Sequence, residues 1–422
     1  MVLALGVGRL GCERLLHRSR FASRLRLSLC ALLLVGVGLA LARLWPAPES
    51  PVLGTTRVGA SPAAMAVDAQ ADRVFIANRG DNSISVLAAD SGRLLETVAV
   101  GLGPHALAVD AASGQVFVGG DDSSINILGT PDWTDLRTIP TASQPGALVM
   151  DAAAHRLVIA DDAEGDTTVT VLDTRSDAIV ATPDTESNPR LLALDVGADH
   201  VFIASPTTDV VDMLDLRTGA LRRIVMRSAP PTTLLVDSQS GQAFVVDTAE
   251  GRVIILDTRR GVVVASIFVG RSPVAVAIDS PSRHVFVVDH GSDSVTILDV
   301  VTRRLVRTVS VCPHPSGIAV DARSERVFVI GQASAAGPGC LSVLDARDGS
   351  VLRTLAVGAN PLAVAIDERT ERAFVLSRGG VMPSGDAFSR IGRALRHFLP
   401  SLFPPALSQR IDSASVTVVD AA

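Results

Sequence analysis

The sequence predicts an all-β fold, an eight-bladed β-propeller, carried behind an N-terminal transmembrane helix. Three observations lead there. A proline followed six residues later by an aspartate recurs eight times at nearly one period. Each period holds four short strand-like runs. The stretch ahead of the first period supplies the outer strand that the last period lacks.

The chain has 422 residues, and its N-terminus differs in kind from the rest. Residues 1–26 form a basic segment with Arg9, Arg14, Arg18, Arg20, Arg24 and Arg26. Residues 27–45 are apolar, with no charge between Leu27 and Ala42. Leu25 to Trp45, with Arg26 and Arg43 snorkelling, is long enough to cross a hydrocarbon layer of roughly 30 Å. The arginines ahead of it hold the N-terminus in the cytoplasm under the positive-inside rule. A cleaved signal peptide is the rival reading, because Ala40-Leu41-Ala42 has the A-x-A cleavage pattern. A buried core helix is a third. Both leading readings place residues 46–422 outside the cytoplasm, in the periplasm or the extracellular space. Residues 46–51 (PAPESP) read as a linker, spanning about 19 Å if extended.

Charge follows the same division. Residues 1–50 carry seven Arg and two Glu, net +5; residues 51–422 carry 31 Arg and 42 acids, net −11. An acidic body argues against nucleic acid as a partner, which needs a basic face. All 38 basic residues are arginine and there is no tyrosine. Schiff-base lysine chemistry and a P-loop lysine are therefore excluded.

The repeat fills residues 52–422. Its signature stands at Pro62/Asp68, Pro104/Asp110, Pro145/Asp151, Pro189/Asp195, Pro231/Asp237, Pro273/Asp279, Pro315/Asp321 and Pro361/Asp367. In unit 6 the four runs are VAVAID (274–279), HVFVVD (284–289), SVTILD (294–299) and LVRTVSV (305–311). Runs of five to seven residues between Gly, Asp, Ser and Arg turns make an antiparallel meander. Four strands per period of about 42 residues make a propeller blade. The second runs are continuously apolar, as strands buried on both faces must be. The eighth unit ends at its third strand, 415–419. Residues 52–62 (VLGTTRVGASP) match 351–361 (VLRTLAVGANP), so 52–58 should pair with 415–419 and close the ring. Seven blades is the runner-up, should one unit be irregular.

On these residues the chain resembles the YVTN-type β-propeller repeat family. The matching pieces are VGxxPxxxAVD, RVFVxN and SVxVLDxxxGxxxxTxxVG. Unit 1, with RVFIANRGDNSISVL, is the nearest copy; ILGTPDWTDL in unit 2 and MLDLRTGAL in unit 4 depart most. The resemblance spans 52–420 apart from one insertion. It implies a secreted or surface-exposed propeller and no single activity, since propellers host many functions.

The eight signature aspartates, and Asp173, Asp215, Asp257, Asp299, Asp345 and Asp420 at the ends of third strands, read as turn residues that bond their own backbone. The channel-mouth candidates lie on the opposite face: Asn78, Arg79, His105, Asp121, Asp161, Asp162, Asp247, Asp289, His290 and His314. The three histidines raise a divalent metal site as an alternative to surface histidines. DDAEGD (161–166) is acidic but lacks the EF-hand pattern. No other cofactor is expected. The haem C-x-x-C-H, H-E-x-x-H and G-x-S-x-G patterns are missing, and two tryptophans make a tryptophan-docked quinone unexpected. No catalytic residue is assigned.

Cys312 and Cys340 fall on one face of one blade. Outside the cytoplasm they are expected to pair, against the alternative of two free thiols. An insertion, 379–413, separates the second and third strands of unit 8. Residues 386–399 read as an amphipathic helix with Phe388, Ile391, Leu395 and Phe398 on one face. It would pack on the propeller's own top face, dock a protein partner, or touch the membrane. Geometry disfavours the last, because the linker holds the other face near the bilayer. A membrane-tethered binding or interaction module is the leading expectation. An extracytoplasmic hydrolase or lyase with a channel-mouth metal site, and a structural cell-envelope protein, are the alternatives.

Overall fold

Val and Ile, with one Phe in every second run but that of unit 3, favour a pleated, tightly packed strand over a helix. The computed structural model bears this out. It describes residues 51–129, 133, 137–161, 167–185, 188–332, 337–379 and 414–421. These form eight four-stranded antiparallel sheets. Each is a meander of strands a to d. In blade 6 they are Pro273–Asp279, His284–Asp289, Ser294–Asp299 and Arg304–Ser310. Strand a of each blade lies against strand a of the next around the whole circle, blade 8 on blade 1 included.

The eighth sheet is closed from the other end of the sequence. Val52–Arg57 pairs antiparallel with Ser415–Asp420, from Val52 opposite Val419 to Arg57 opposite Ser415. It becomes strand d of blade 8, outside strands Ala359–Asp367 and Arg372–Gly379. The ring has eight blades, and the irregular unit 2 keeps all four strands.

There is no single core. Eight apolar clusters each join two neighbouring blades, one for every interface. Strand b supplies their centre. Phe75, Phe117, Phe202, Phe244, Phe286, Phe328 and Phe374 are fully buried, and Val158 takes the place in blade 3. Burying one such ring contributes about 2–3 kcal/mol. Outer strands behave oppositely: five of the seven residues of Arg304–Ser310 in a row are exposed.

The signature aspartates are built into the a–b turns. Asp68 Oδ1 accepts from the backbone N–H of Gln70 and Ala71, both at 2.9 Å. Asp321 Oδ1 accepts from Arg323 and Ser324, and its Oδ2 from the Ser324 hydroxyl at 2.7 Å. All eight are buried. Asp173, Asp215, Asp257, Asp299 and Asp345 do the same in the c–d turns.

The glycine of the recurring Val-Gly pair has a packing reason. In blades 1, 6 and 8 it lies over a side chain at or near the end of strand b. A Cβ on Gly59 would stand 2.6 Å from Cγ of Asn78, and one on Gly358 2.6 Å from Cβ of Ser377. Only a bare α-carbon lets the d–a loop cross there.

The N-terminal segment 1–50 and the insertion from 380 onward, with Phe388, Ile391, Leu395 and Phe398, lie outside the described residues. Asp162 does as well.

Candidate functional site

The d–a and b–c loops meet on one face of the ring, and the sequence candidates divide there into three groups. The first group ends strand b and points into its own blade. Asn78 is buried, and its Nδ2 donates to the hydroxyls of Ser83 at 3.1 Å and Ser85 at 2.9 Å. Asp161, Asp247 and Asp289 occupy the matching position in blades 3, 5 and 6, all fully buried. Asp161 accepts from Thr168 at 2.9 Å, and Asp247 from the backbone N–H of Glu250 at 2.9 Å. Asp289 accepts from the Thr296 hydroxyl at 2.6 Å. Burial pushes the Asp289 carboxyl up to about 6, against the opposing pull of hydrogen bonds from Thr296 and the Gly270 N–H. These groups tie strand b to strand c.

The second group bridges blades 1 and 2. The Arg79 guanidinium donates to both oxygens of Asp121 at 3.0 and 3.1 Å. His105 Nδ1 lies 3.5 Å from the same carboxylate and 2.9 Å from the Gly103 carbonyl.

The third group is the His290–His314 pair. His290 opens the b–c loop of blade 6, in a single 3₁₀ turn, His290–Ser292. His314 belongs to the d–a loop entering blade 7. Their ring centroids are 5.4 Å apart. Each ring is pinned through Nδ1. His290 Nδ1 donates to the Pro315 carbonyl at 3.0 Å. His314 Nδ1 donates to Asp293 Oδ1 at 3.3 Å, and its backbone N–H reaches the same oxygen at 2.7 Å. Those two bonds, the backbone one first, hold the Asp293 carboxyl below the usual carboxylate range. Nε2 is therefore the atom each ring has left for a ligand.

His314 sits in the left-handed region, at φ 47°. Ser61, Ser272 and Asn360 share that conformation before Pro62, Pro273 and Pro361. The strain belongs to the repeat's loop and not to a special role of this histidine.

The pair lines an open cleft of about 670 Å³ across blades 6 to 8. Ser316, Gln332, Asn360 and Arg378 complete its polar lining, with Pro361 and Leu362 as its apolar part. A second cleft, of about 480 Å³, lies between blades 3 and 4 among Arg156, Val180 and Leu214–Gly219.

The structure thus brings His290 and His314 together, while His105 stands with Arg79 and Asp121. Among the described residues, no three His, Cys, Asp or Glu side chains gather closely enough to hold a metal ion. Cys312 and Cys340 are joined as a disulfide, Cα atoms 6.1 Å apart. Their bond fixes the loop that presents His314. Sequence reasoning missed Asn360, Gln332 and Arg378. Only Arg378 carried a signal: a charge directly after the apolar strand core AFVLS, where the strand leaves the core.

No family model matches the chain, and no curated protein matches it. Solved structures do. The dihydro-heme d1 dehydrogenase NirN, in complex with DHE, superposes at TM-score 0.59 and 14% identity, over 72% of this chain and 67% of that one. The hydrazine synthase of Kuenenia stuttgartiensis superposes at TM-score 0.53 and 16% identity, over 72% of this chain and 99% of that one. At such identities the likeness is one of fold alone, and the fold of this chain is an eight-bladed β-propeller.

Proposed function

We propose that this protein is a membrane-tethered, extracytoplasmic propeller that binds a small molecule in the cleft across blades 6 to 8. One observation carries the reading: loops of successive blades bring His290 and His314 to 5.4 Å in an open cleft large enough for a metabolite-sized ligand. The tether is the apolar segment 27–45. The helix of the insertion, through Phe388, Ile391, Leu395 and Phe398, serves as the docking face for a protein partner. YVTN-type repeat character agrees with an exported scaffold.

The test is ligand-induced stabilisation of the full-length chain in detergent, screened with small molecules. A ligand that binds only the folded state raises its stability by mass action. Hits should disappear in Leu362→Trp, which fills the cleft. Hits that persist in that variant would move the site elsewhere. Proteolysis of the propeller in intact spheroplasts, with the N-terminal segment protected, checks the orientation.

Catalysis at the same cleft is the second reading, an extracytoplasmic hydrolase or lyase. The Asp293 carboxylate orienting His314 is the arrangement of a general base and its positioning group. The two solved structures named above also carry the names of enzymes. Turnover lost in His314→Asn, far beyond any loss of ligand stabilisation, would establish it.

A further inference from the structure

We infer that the cleft across blades 6 to 8 recognises an anionic group, a carboxylate or a phosphate, with Arg378 as the charge that selects it. This rests on the cleft being the ligand site.

The lining is one-sided. Among the described residues that line the cleft, Arg378 and two imidazoles are the titratable groups, and none is a carboxylate. That is unusual for this body, which carries 42 acids against 31 arginines. Several other arginines of the body are held by a neighbouring carboxylate. Arg79 holds Asp121, Arg223 holds Asp212, and Arg369 holds Asp72. Arg378 is exposed, and among the described residues its side chain has no ion-pair or hydrogen-bond partner. No described residue therefore competes with a ligand for its guanidinium in the cleft. A guanidinium presents paired N–H donors in a plane, matched to two oxygens of a carboxylate or phosphate.

The remaining polar groups fit the same ligand. The Asn360 amide and the Ser316 hydroxyl can donate. With Nδ1 of His290 and His314 already committed, each Nε2 adds a donor once protonated. The Asp293 carboxylate that His314 holds is engaged by two bonds from that residue, which limits its repulsion of an incoming anion. The net negative charge of the rest of the body is screened beyond about 8 Å at physiological salt. The local positive lining then decides which small molecules enter.

The test measures binding of two probes, inorganic phosphate and malonate, to the full-length chain by calorimetry at physiological ionic strength. One probe at least should bind at one site per chain. Arg378→Ala should weaken that binding about tenfold or more, the effect of losing a charged hydrogen-bond partner. Arg378→Lys should restore part of it, because the charge returns without the paired donors. His314→Asn keeps a residue suited to the left-handed backbone, as Asn360 does one blade on, and should weaken binding several-fold. Arg378 is exposed, so its substitution leaves the fold intact, which circular dichroism checks. Equal binding by wild type and Arg378→Ala would overturn the inference, and so would absence of binding by both probes. Neutral hits that vanish in Leu362→Trp, with neither anion bound, would leave the cleft as the ligand site and remove only its anionic specificity. Anion binding lost in Arg378→Ala but kept in Leu362→Trp would do the reverse.

Discussion

Gly270 lies so close to Asp289 that a Cβ at position 270 would stand 2.5 Å from the carboxyl carbon. Neither the loop nor the fully buried side chain has room to retreat. Gly270→Ala should therefore cost about 1–3 kcal/mol in urea unfolding, the range for an overpacked core. Gly54→Ala is the control. A Cβ there meets nothing within 4 Å, and stability should hold or rise slightly. Equal behaviour of the two variants would refute the interlock.

Asp289 makes a second prediction, about pH. Its carboxyl titrates near 6 in the folded chain and near 4 when unfolded. Below pH 4 both states hold the proton and the full stability is present. As pH rises through 4 to 6 the unfolded chain releases it first, so stability falls, by about 3 kcal/mol, and levels off above 6. Asp289→Asn copies what Asn78 does in blade 1 and should remove that fall. Because Asp173, Asp215 and Asp299 titrate low and tilt the curve the other way, the wild-type minus variant difference is the quantity to plot. A flat difference between pH 4 and 7 would contradict the assignment.

Cys312 and Cys340 close a loop across a sequence separation of 28. Replacing both with serine should lower stability by roughly 3.5 kcal/mol in the chain-entropy account. The variant should be indifferent to reductant, while wild type should lose about the same amount on reduction. Recovery of alkylated Cys312 and Cys340 from the unreduced protein would rule the bond out.

Deleting 52–57 should open the ring. Strand Ser415–Asp420 would become a bare edge, and exposed edges pair with other chains. Size-exclusion chromatography should report aggregates, and limited proteolysis should cut near 415–420. A monomeric deletion variant with native unfolding cooperativity would show that the strand is dispensable.

The blade count was legible because it depends on local grammar. Pro-x5-Asp marks where strand a starts and turns, and an apolar strand core such as VFVV admits only a strand buried on both faces. Closure was legible because 52–62 repeats 351–361 nearly residue for residue. The cleft was half legible. His290 and His314 were visible as loop residues of successive units, but so was His105, and nothing in its spacing said that it would face Arg79 and Asp121 instead. Asn78 and Asp289 looked like mouth residues because they follow the strand. Their burial depends on the neighbouring loop's glycine, a contact between segments about 20 residues apart. Arg378 gained meaning only when three blades were seen to share one opening.

The pairing of Val52 with Val419 also orders events in time. The first strand of the ring to be made waits for the last. Seven blades can form from local hairpins as they appear, but the eighth stays open until Ser415–Asp420 is available. A chain cut short anywhere before that strand keeps two unsatisfied edges, however well its other blades have folded. Ring closure is therefore the step of assembly that joins the most distant parts of the propeller's sequence.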